Sequence, residues 1–185
     1  MSFTPGGHVD SLVEENANLH KLNKSLIYAV IQVESSGDPW SIRYEPQYKW
    51  VLPRAVSLLH AKAWGVSIET EEMAQKTSWG LMQVMGGVAR ELGYDEPLTK
   101  LLLPEFGIEY GCKQLARLSK KYKKDSELIA SYNAGSPRKD DRGRFLNQSY
   151  VDKVTTFIEN YKKVGIVRIK SWLHWVGESL LFHFL

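Results

Sequence analysis

The sequence predicts a mainly α-helical single domain that is followed by an amphipathic C-terminal extension. Apolar residues recur at spacings of three and four over most of residues 9–163, as on the buried face of a helix. Glycine, proline and asparagine divide this stretch, and no segment shows the repeated alternation that is typical of strands. A chain of 185 residues with 43% hydrophobic and 24% charged residues has the size and composition of one globular domain with a core.

The individual helices are predicted from their apolar spacing and their end signals. Residues 9–33 are predicted as one helix, which Gly37 and Pro39 terminate. The glycine-rich segment 77–94 also keeps apolar residues at helical spacing, and Gly93 is predicted to end a helix there. The other predicted helices cover 55–62, 69–76, 104–122, 125–133 and 149–163.

The two ends of the chain differ from the domain between them. Residues 1–8 contain a proline and two glycines and are predicted to be a flexible arm. In the extension, residues 164–185, a helical wheel places Trp172 and other apolar side chains on one side, with Arg168 and Ser171 on the other. Two interpretations of this extension remain open: it docks onto the domain, or it contacts a membrane surface.

Charge, cysteine and histidine content argue against several classes of function. The net charge of +3 and the lack of a nucleic-acid-binding motif predict no nucleic acid partner. The single cysteine, Cys112, allows no intramolecular disulfide and lies in a helical pattern, so we expect a buried structural thiol. The five histidines lack metal-ligand spacing, so no metal and no cofactor are predicted.

The N-terminal sequence predicts where the protein is made. Residues 1–20 lack the basic and apolar regions of a signal peptide, and no stretch of the sequence is apolar for long enough to span a membrane. We therefore expect synthesis in the cytoplasm, with any export depending on a mechanism other than a signal peptide.

Glu34 lies at the end of an apolar run, in the segment IQVESSGDPW of residues 31–40. An unpaired carboxylate beside apolar surface has a raised pKa and holds a proton near neutral pH. A general acid needs that property. The alternative is that Glu34 is simply a polar helix end.

Four short blocks follow one another along the chain. They are Glu34-Ser35-Ser36-Gly37, Gly80-Leu81-Met82-Gln83, Ser131-Tyr132-Asn133-Ala134-Gly135 and Tyr150-Val151. Each alone is explained by a turn, a helix start or a helix cap. In this order they resemble the soluble lytic transglycosylase domain, which is related to goose-type lysozymes, over about residues 22–163. The resemblance implies a lysozyme-like α fold and cleavage of the β-1,4 bond between N-acetylmuramic acid and N-acetylglucosamine in bacterial peptidoglycan.

The resemblance also assigns roles to individual residues. Glu34 is implied to be the catalytic acid and then the base, with Tyr150 beside it to position it. The implied substrate-binding residues are Met82 and Gln83, which would line the groove near the scissile bond, and Tyr132 and Asn133, which would hold the sugar. No second carboxylate is needed, because the substrate's own 6-hydroxyl attacks the anomeric carbon after the N-acetyl group assists, and a 1,6-anhydromuramyl end results.

The sequence departs from the family pattern between the first two blocks. Gly80 follows Glu34 by 46 positions, about twice the usual spacing, which indicates an insertion at about 40–77. Thr77-Ser78-Trp79 replaces the usual small residues before the second block. Ser78 is therefore the nearest candidate, by proximity, for the serine that hydrogen-bonds the catalytic glutamate and contacts substrate.

The insertion supplies further candidate residues. Glu45 lies in Arg43-Tyr44-Glu45-Pro46, which is similar to a stretch in phage-encoded muramidase-like proteins. Glu45 is either the second carboxylate of an inverting hydrolase or an ion-pair partner of Arg43 or Arg54. The aromatic residues nearby either stack on sugar rings or pack in the core: Tyr44, Tyr48, Trp50 and Trp79.

The leading functional hypothesis is a lytic transglycosylase that acts on peptidoglycan as a monomer, either as a phage endolysin or as a virion-associated lysin. It would act on the periplasmic cell wall or be carried in the virion. The alternatives are a hydrolytic muramidase that uses Glu45, and a non-catalytic glycan-binding or virion assembly module.

Overall fold

The computed structural model describes residues 7–161, and over this range the fold is mainly helical. The helices are α1 Gly7–His20, α2 Lys24–Ser35, α3 Arg54–Ala63, α4 Ile68–Gln75, α5 Gly86–Glu91, α6 Pro104–Lys121, α7 Asp125–Ala134 and α8, residues 148–161. A 3₁₀ turn covers Leu98–Leu102. None of the helices in this range is long and apolar enough to cross a membrane. The predictions for residues 1–6 and 162–185 lie outside the described residues. Gly7 and His8, which were predicted to belong to the flexible arm, instead form the start of α1.

A small antiparallel sheet accompanies the helices, and the sequence analysis did not predict it. The strands are β1 Ile42–Tyr44, β2 Thr77–Trp79 and β3 Val84–Met85, with β2 in the middle. β1 belongs to the predicted insertion, and β2 and β3 flank the second sequence block. The sheet therefore joins the insertion to that block.

The prediction of one helix over residues 9–33 is wrong, because two helices occupy this range. Lys21 takes a left-handed backbone conformation with φ 54°, which ends α1. Asn23 then begins α2, and its side chain accepts a hydrogen bond from the backbone N–H of Ser25. A cap of this kind satisfies a backbone N–H at the start of a helix, so it stabilises the beginning of a second helix here.

The prediction of a helix through most of 77–94 is also wrong, because a strand, a tight turn and a second strand precede the short helix α5. Gly80 and Gln83 both have positive φ, at 66° and 47°. A side chain at Gly80 would bring its Cβ to 2.4 Å from the carbonyl oxygen of Leu101. The chain can turn here because glycine tolerates both the backbone conformation and the close approach. Gly93, with φ 86°, follows the end of α5 as predicted.

The core is built around α6, which packs against α1 and α7. Its inward face carries Ile108, Leu115 and Cys112, all with no exposed area. Cys112 is thus the buried thiol that the sequence predicted, and burial raises its pKa to about 12. The predicted helices around residues 55–62, 69–76, 104–122 and 125–133 are confirmed to within a residue or two at each end.

Candidate active site

Glu34 lies in the last turn of α2, next to the place where the helix ends. Residues Leu26, Ile27 and Val30 bury one face of α2 in the core, which fixes the helix. Ser36 closes the helix in a left-handed conformation, with φ 55°. The carboxylate of Glu34 is therefore held at the rim of the core by a rigid element, partly buried.

Tyr150 of α8 contacts Glu34 directly. Its hydroxyl donates a hydrogen bond of 2.6 Å to Oε1 of Glu34, although 116 positions separate the two residues in the chain. Desolvation raises the pKa of Glu34, and the bond from Tyr150 and the charge of Arg43 partly oppose that rise. Burial and the negative charge of Glu34 also raise the pKa of the Tyr150 hydroxyl, so it remains a donor. A carboxyl with a raised pKa that also has a fixed donor is suited to exchanging a proton.

The turn of residues 80–83 between β2 and β3 lies against the end of α2. The hydroxyl of Ser35, the neighbour of Glu34, donates to the carbonyl oxygen of Leu81 at 2.8 Å. The hydroxyl of Tyr132 donates to the carbonyl oxygen of Met82 at 2.8 Å. Burial and the charge of Glu34 raise the pKa of Tyr132 well above its ordinary value. The first three sequence blocks therefore meet around Glu34.

Ser78 does not contact Glu34, so that part of the prediction is wrong. Its buried hydroxyl is in hydrogen-bond contact with Oε1 of Gln83 at 2.9 Å and with the carbonyl oxygen of Arg43 at 3.2 Å. Gln83 also donates from Nε2 to the carbonyl oxygens of Ser41 and Gly80, each at 2.9 Å. Ser78 therefore holds Gln83 and β1 in place instead of touching the glutamate.

The side chain of Met82 does not line an open groove, because it has no exposed area. It packs against α6, where an added Cβ on Gly111 would lie 2.4 Å from its sulfur. The backbone of Met82 takes part in the site by accepting the hydrogen bond of Tyr132. The predicted contact of this side chain with the glycan is therefore corrected to a core contact.

Asn133 is exposed at the end of α7, and it has a partner that the sequence analysis missed. Nδ2 of Asn147 donates to Oδ1 of Asn133 at 3.0 Å and to the carbonyl oxygen of Ala130 at 3.0 Å. Asn147 thereby fixes the side-chain oxygen of Asn133. The NH₂ group of Asn133 takes no part in this hydrogen bond. The position of Asn147 just before the Tyr150 block was the one signal available in the sequence.

Glu45 forms an ion pair with Arg43, which was one of the two alternatives left open for it. Nε of Arg43 donates to Oε1 of Glu45, while Arg54 pairs instead with Glu69 and Glu72. Among the aromatic candidates, Trp79 is buried and donates from its indole to the carbonyl oxygen of Ala74. The insertion leaves three large aromatic side chains at least half exposed: Trp40, Tyr44 and Trp50.

Comparison with known families decides the relationship of this chain. The model of the transglycosylase SLT domain family matches residues 11–149. The chain belongs to this family. The lysozyme-like resemblance stated from the four blocks is confirmed, and Tyr150 lies one residue beyond the matched range. No solved structure matches the chain with significant similarity.

Proposed function

We propose that this SLT-family protein is a lytic transglycosylase that cleaves the β-1,4 bond between N-acetylmuramic acid and N-acetylglucosamine in peptidoglycan. The observation that carries the proposal is the environment of the Glu34 carboxyl. Glu34 has a desolvated carboxyl with a raised pKa, in direct contact with Tyr150 and surrounded by the family's sequence blocks.

The proposed reaction uses Glu34 twice. Protonated Glu34 gives its proton to the glycosidic oxygen as the bond to the anomeric carbon breaks, while the carbonyl oxygen of the muramyl N-acetyl group bonds to that carbon. The Glu34 carboxylate then takes the proton of the 6-hydroxyl, whose oxygen bonds to the anomeric carbon as the acetamido oxygen leaves. The donor from Tyr150 stabilises the carboxylate between the two steps.

The contacts of Glu45 support an intramolecular attack over hydrolysis. A hydrolase usually has a second carboxylate that activates water or traps the sugar. The carboxylate of Glu45 is instead paired with Arg43. The nature of the product distinguishes these alternatives directly.

Mass spectrometry of muropeptides released from purified peptidoglycan tests the proposal. We expect anhydromuramyl ends, about 18 Da lighter than reducing ends because no water is added. Glu34→Gln should abolish product release while the circular dichroism spectrum stays unchanged, because the amide keeps the shape but cannot transfer the proton. Glu159→Gln, at an exposed position of α8, is the matched control. Reducing ends would favour hydrolysis and direct attention to Glu45, and no product at all would favour the binding or assembly alternative.

The biological setting forms a further part of the proposal. The similarity of the Arg43–Pro46 stretch to phage muramidase-like proteins supports an endolysin or virion-associated lysin that acts as a monomer on the periplasmic wall. For residues 164–185, the proposal keeps both alternatives, docking onto the domain and contact with a membrane surface. Dye leakage from anionic vesicles, compared between the full chain and a chain that ends at residue 163, tests that contact. Equal leakage would contradict it.

A further inference from the structure

Asn147 lies immediately before α8, the helix that carries Tyr150. Its carbonyl oxygen accepts hydrogen bonds from the backbone N–H groups of Tyr150 and Val151, at 3.0 and 3.3 Å, so Asn147 is the N-cap of α8. Tyr150 follows it by only three positions and donates to Glu34. The backbone of Asn147 is therefore held in place by the same helical turn that contacts the carboxyl of Glu34.

The side chain of Asn147 makes its contacts with α7. An asparagine at an N-cap commonly uses its side-chain oxygen to accept a hydrogen bond from its own helix. Here the NH₂ group of the side chain donates to two acceptors in α7, the carbonyl oxygen of Ala130 and Oδ1 of Asn133, each at 3.0 Å. Asn147 thus joins the start of α8 to the end of α7, on either side of the charged loop of residues 136–146.

The bond to Ala130 determines the orientation of both side-chain amides. A backbone carbonyl oxygen only accepts hydrogen bonds, so the atom of Asn147 that faces it has to be the nitrogen. The same NH₂ group faces Asn133, so the atom of Asn133 in this contact has to be the oxygen. The NH₂ group of Asn133 lies on the other side of the amide carbon. Because Asn133 is exposed, this NH₂ group is accessible to a ligand.

We propose that Asn147 is a positioning residue that holds Asn133 as a hydrogen-bond donor toward an acceptor oxygen of the glycan. The inference deepens the proposed function and rests on it for the identity of the ligand. The family resemblance implied that Asn133 holds the sugar, but it gave neither a partner for Asn133 nor the direction of its hydrogen bond. A donor that is oriented before the ligand arrives loses no rotational freedom on binding, which favours affinity.

Asn147→Asp separates this positioning role from helix capping. Aspartate caps a helix as well as asparagine does and has nearly the same shape, but it has no N–H to donate. Asn133 should then turn its NH₂ group toward the new carboxylate and its oxygen toward the ligand. Asn133→Asp removes the same donor directly and leaves an acceptor for Asn147. Each variant should weaken glycan binding about three- to ten-fold, as expected for one neutral hydrogen bond. Asn18→Asp, at an exposed position of α1, adds the same charge and is the matched control, which should bind like its parent.

The measurement is isothermal titration calorimetry of the full chain with soluble glycan strands from purified peptidoglycan. The parent carries Glu34→Gln, so the ligand is bound without being cleaved. Asn147→Asp is then repeated in a parent that also carries Asn133→Ala. If Asn147 acts only through Asn133, it should cause no further loss of affinity there. An equal loss in both parents would show that Asn147 acts through α8 and would overturn the inference, as would unchanged binding in Asn147→Asp or in Asn133→Asp. If Asn147→Asp fails to fold, Asn147→Ser, which also caps a helix but has a side chain one atom shorter, decides the question in the same two parents.

Product release by the chain with Glu34 intact separates this inference from the proposed function. In that chain Asn147→Asp should raise KM and leave the alkaline limb of the pH profile in place, because Tyr150 still contacts Glu34. Binding that depends on Asn133 and Asn147, in a protein that releases no product, would contradict the proposed function while supporting the donor role. Product release together with binding that neither variant weakens would overturn the donor role alone. Absence of any binding by the Glu34→Gln parent would also overturn the donor role, because it requires a glycan ligand.

Discussion

Tyr150 contributes a hydrogen-bond donor to the candidate site from a distant part of the chain. Its hydroxyl lies 2.6 Å from Oε1 of Glu34. A donor that faces an ionised acceptor stabilises the ionised form, which is why this bond opposes the effect of desolvation on the pKa of Glu34. Tyr150 therefore affects both the orientation and the proton affinity of the carboxyl.

Replacement of Tyr150 by phenylalanine should raise the pKa of Glu34 and weaken catalysis. We expect kcat/KM to fall by about ten-fold or more, because a charge-assisted hydrogen bond is worth about 1.5–3 kcal/mol. The alkaline limb of its pH profile should move to higher pH, because Glu34 then holds its proton more strongly. Tyr28→Phe removes a bond of the same kind, from Tyr28 to Oδ1 of Asp10 at 2.7 Å, away from the site. Tyr28→Phe should leave kcat/KM and the alkaline limb of the pH profile unchanged. An equal effect of the two variants would contradict the role of Tyr150.

The contact between Glu34 and Tyr150 agrees with what the family resemblance implied, whereas two other side-chain placements were wrong. Ser78 and Met82 both lie near the turn of residues 80–83, where Gln83 has a positive φ. Every residue from 77 to 84 is buried, so these side chains are oriented toward internal contacts and not toward an open groove. Sequence spacing does not encode that orientation, so it could not be predicted.

The turn between β2 and β3 depends on Gly80, and a substitution there should damage the fold. Gly80→Ala combines left-handed strain with a Cβ placed 2.4 Å from the carbonyl oxygen of Leu101. Gly143→Ala is the matched control, because Gly143 also has a positive φ, 75°, but an added Cβ would have no neighbour within 4 Å.

We expect the Gly80 variant to lose about 1–3 kcal/mol more free energy of unfolding than the Gly143 variant, as measured by urea denaturation. It should also lose activity, because the turn carries Gln83. Equal losses of stability would show that the close approach to Leu101 is relieved by a small shift of the backbone.

A buried ion pair joins the insertion helix α4 to α5. Nε and Nη2 of Arg90 donate to the two carboxylate oxygens of Glu71 at 2.8 and 3.0 Å, and both side chains are almost completely buried. Glu71→Gln leaves the Arg90 charge buried without its counterion, so we expect a loss of about 3–5 kcal/mol in the free energy of unfolding. Glu72→Gln, which breaks an exposed pair with Arg54, should cost much less. Similar losses of free energy of unfolding in both variants would mean that the buried Glu71–Arg90 pair contributes no more to stability than the exposed pair.

Most of the helices could be predicted from the sequence, and the strands could not. The helix α6, Pro104–Lys121, has several turns of apolar spacing and a proline at its start, so its period and its beginning are both evident. The strands have only two or three residues each, which is too short for an alternating pattern to stand out. β1 pairs with β2, which lies on the far side of the insertion. A pairing between segments so distant in the chain cannot be predicted from the local sequence of either strand.

The site as a whole joins segments that are far apart in the chain, and its central residue affects the stability of the entire domain. The pKa of Glu34 is raised in the folded protein by desolvation. Below the ordinary pKa of glutamate, the carboxyl of Glu34 is neutral in both the folded and the unfolded state, so its charge has no effect on the free energy of unfolding. As the pH rises past that value, the unfolded chain releases the proton first, so stability falls until the folded-state pKa is passed.

Glu34→Gln should therefore stabilise the folded protein at pH 7 while it abolishes activity. The neutral amide avoids the cost of a desolvated carboxylate, and its oxygen can still accept the hydrogen bond of Tyr150. Calorimetry should show a higher Tm for the variant at pH 7, by about 2–4 °C for each kcal/mol gained, and no difference near pH 3.5. Glu159→Gln, at an exposed position, should change neither value. A gain of the same size at both pH values would mean that packing, and not the charge of Glu34, limits stability, because only the charge is removed by acid.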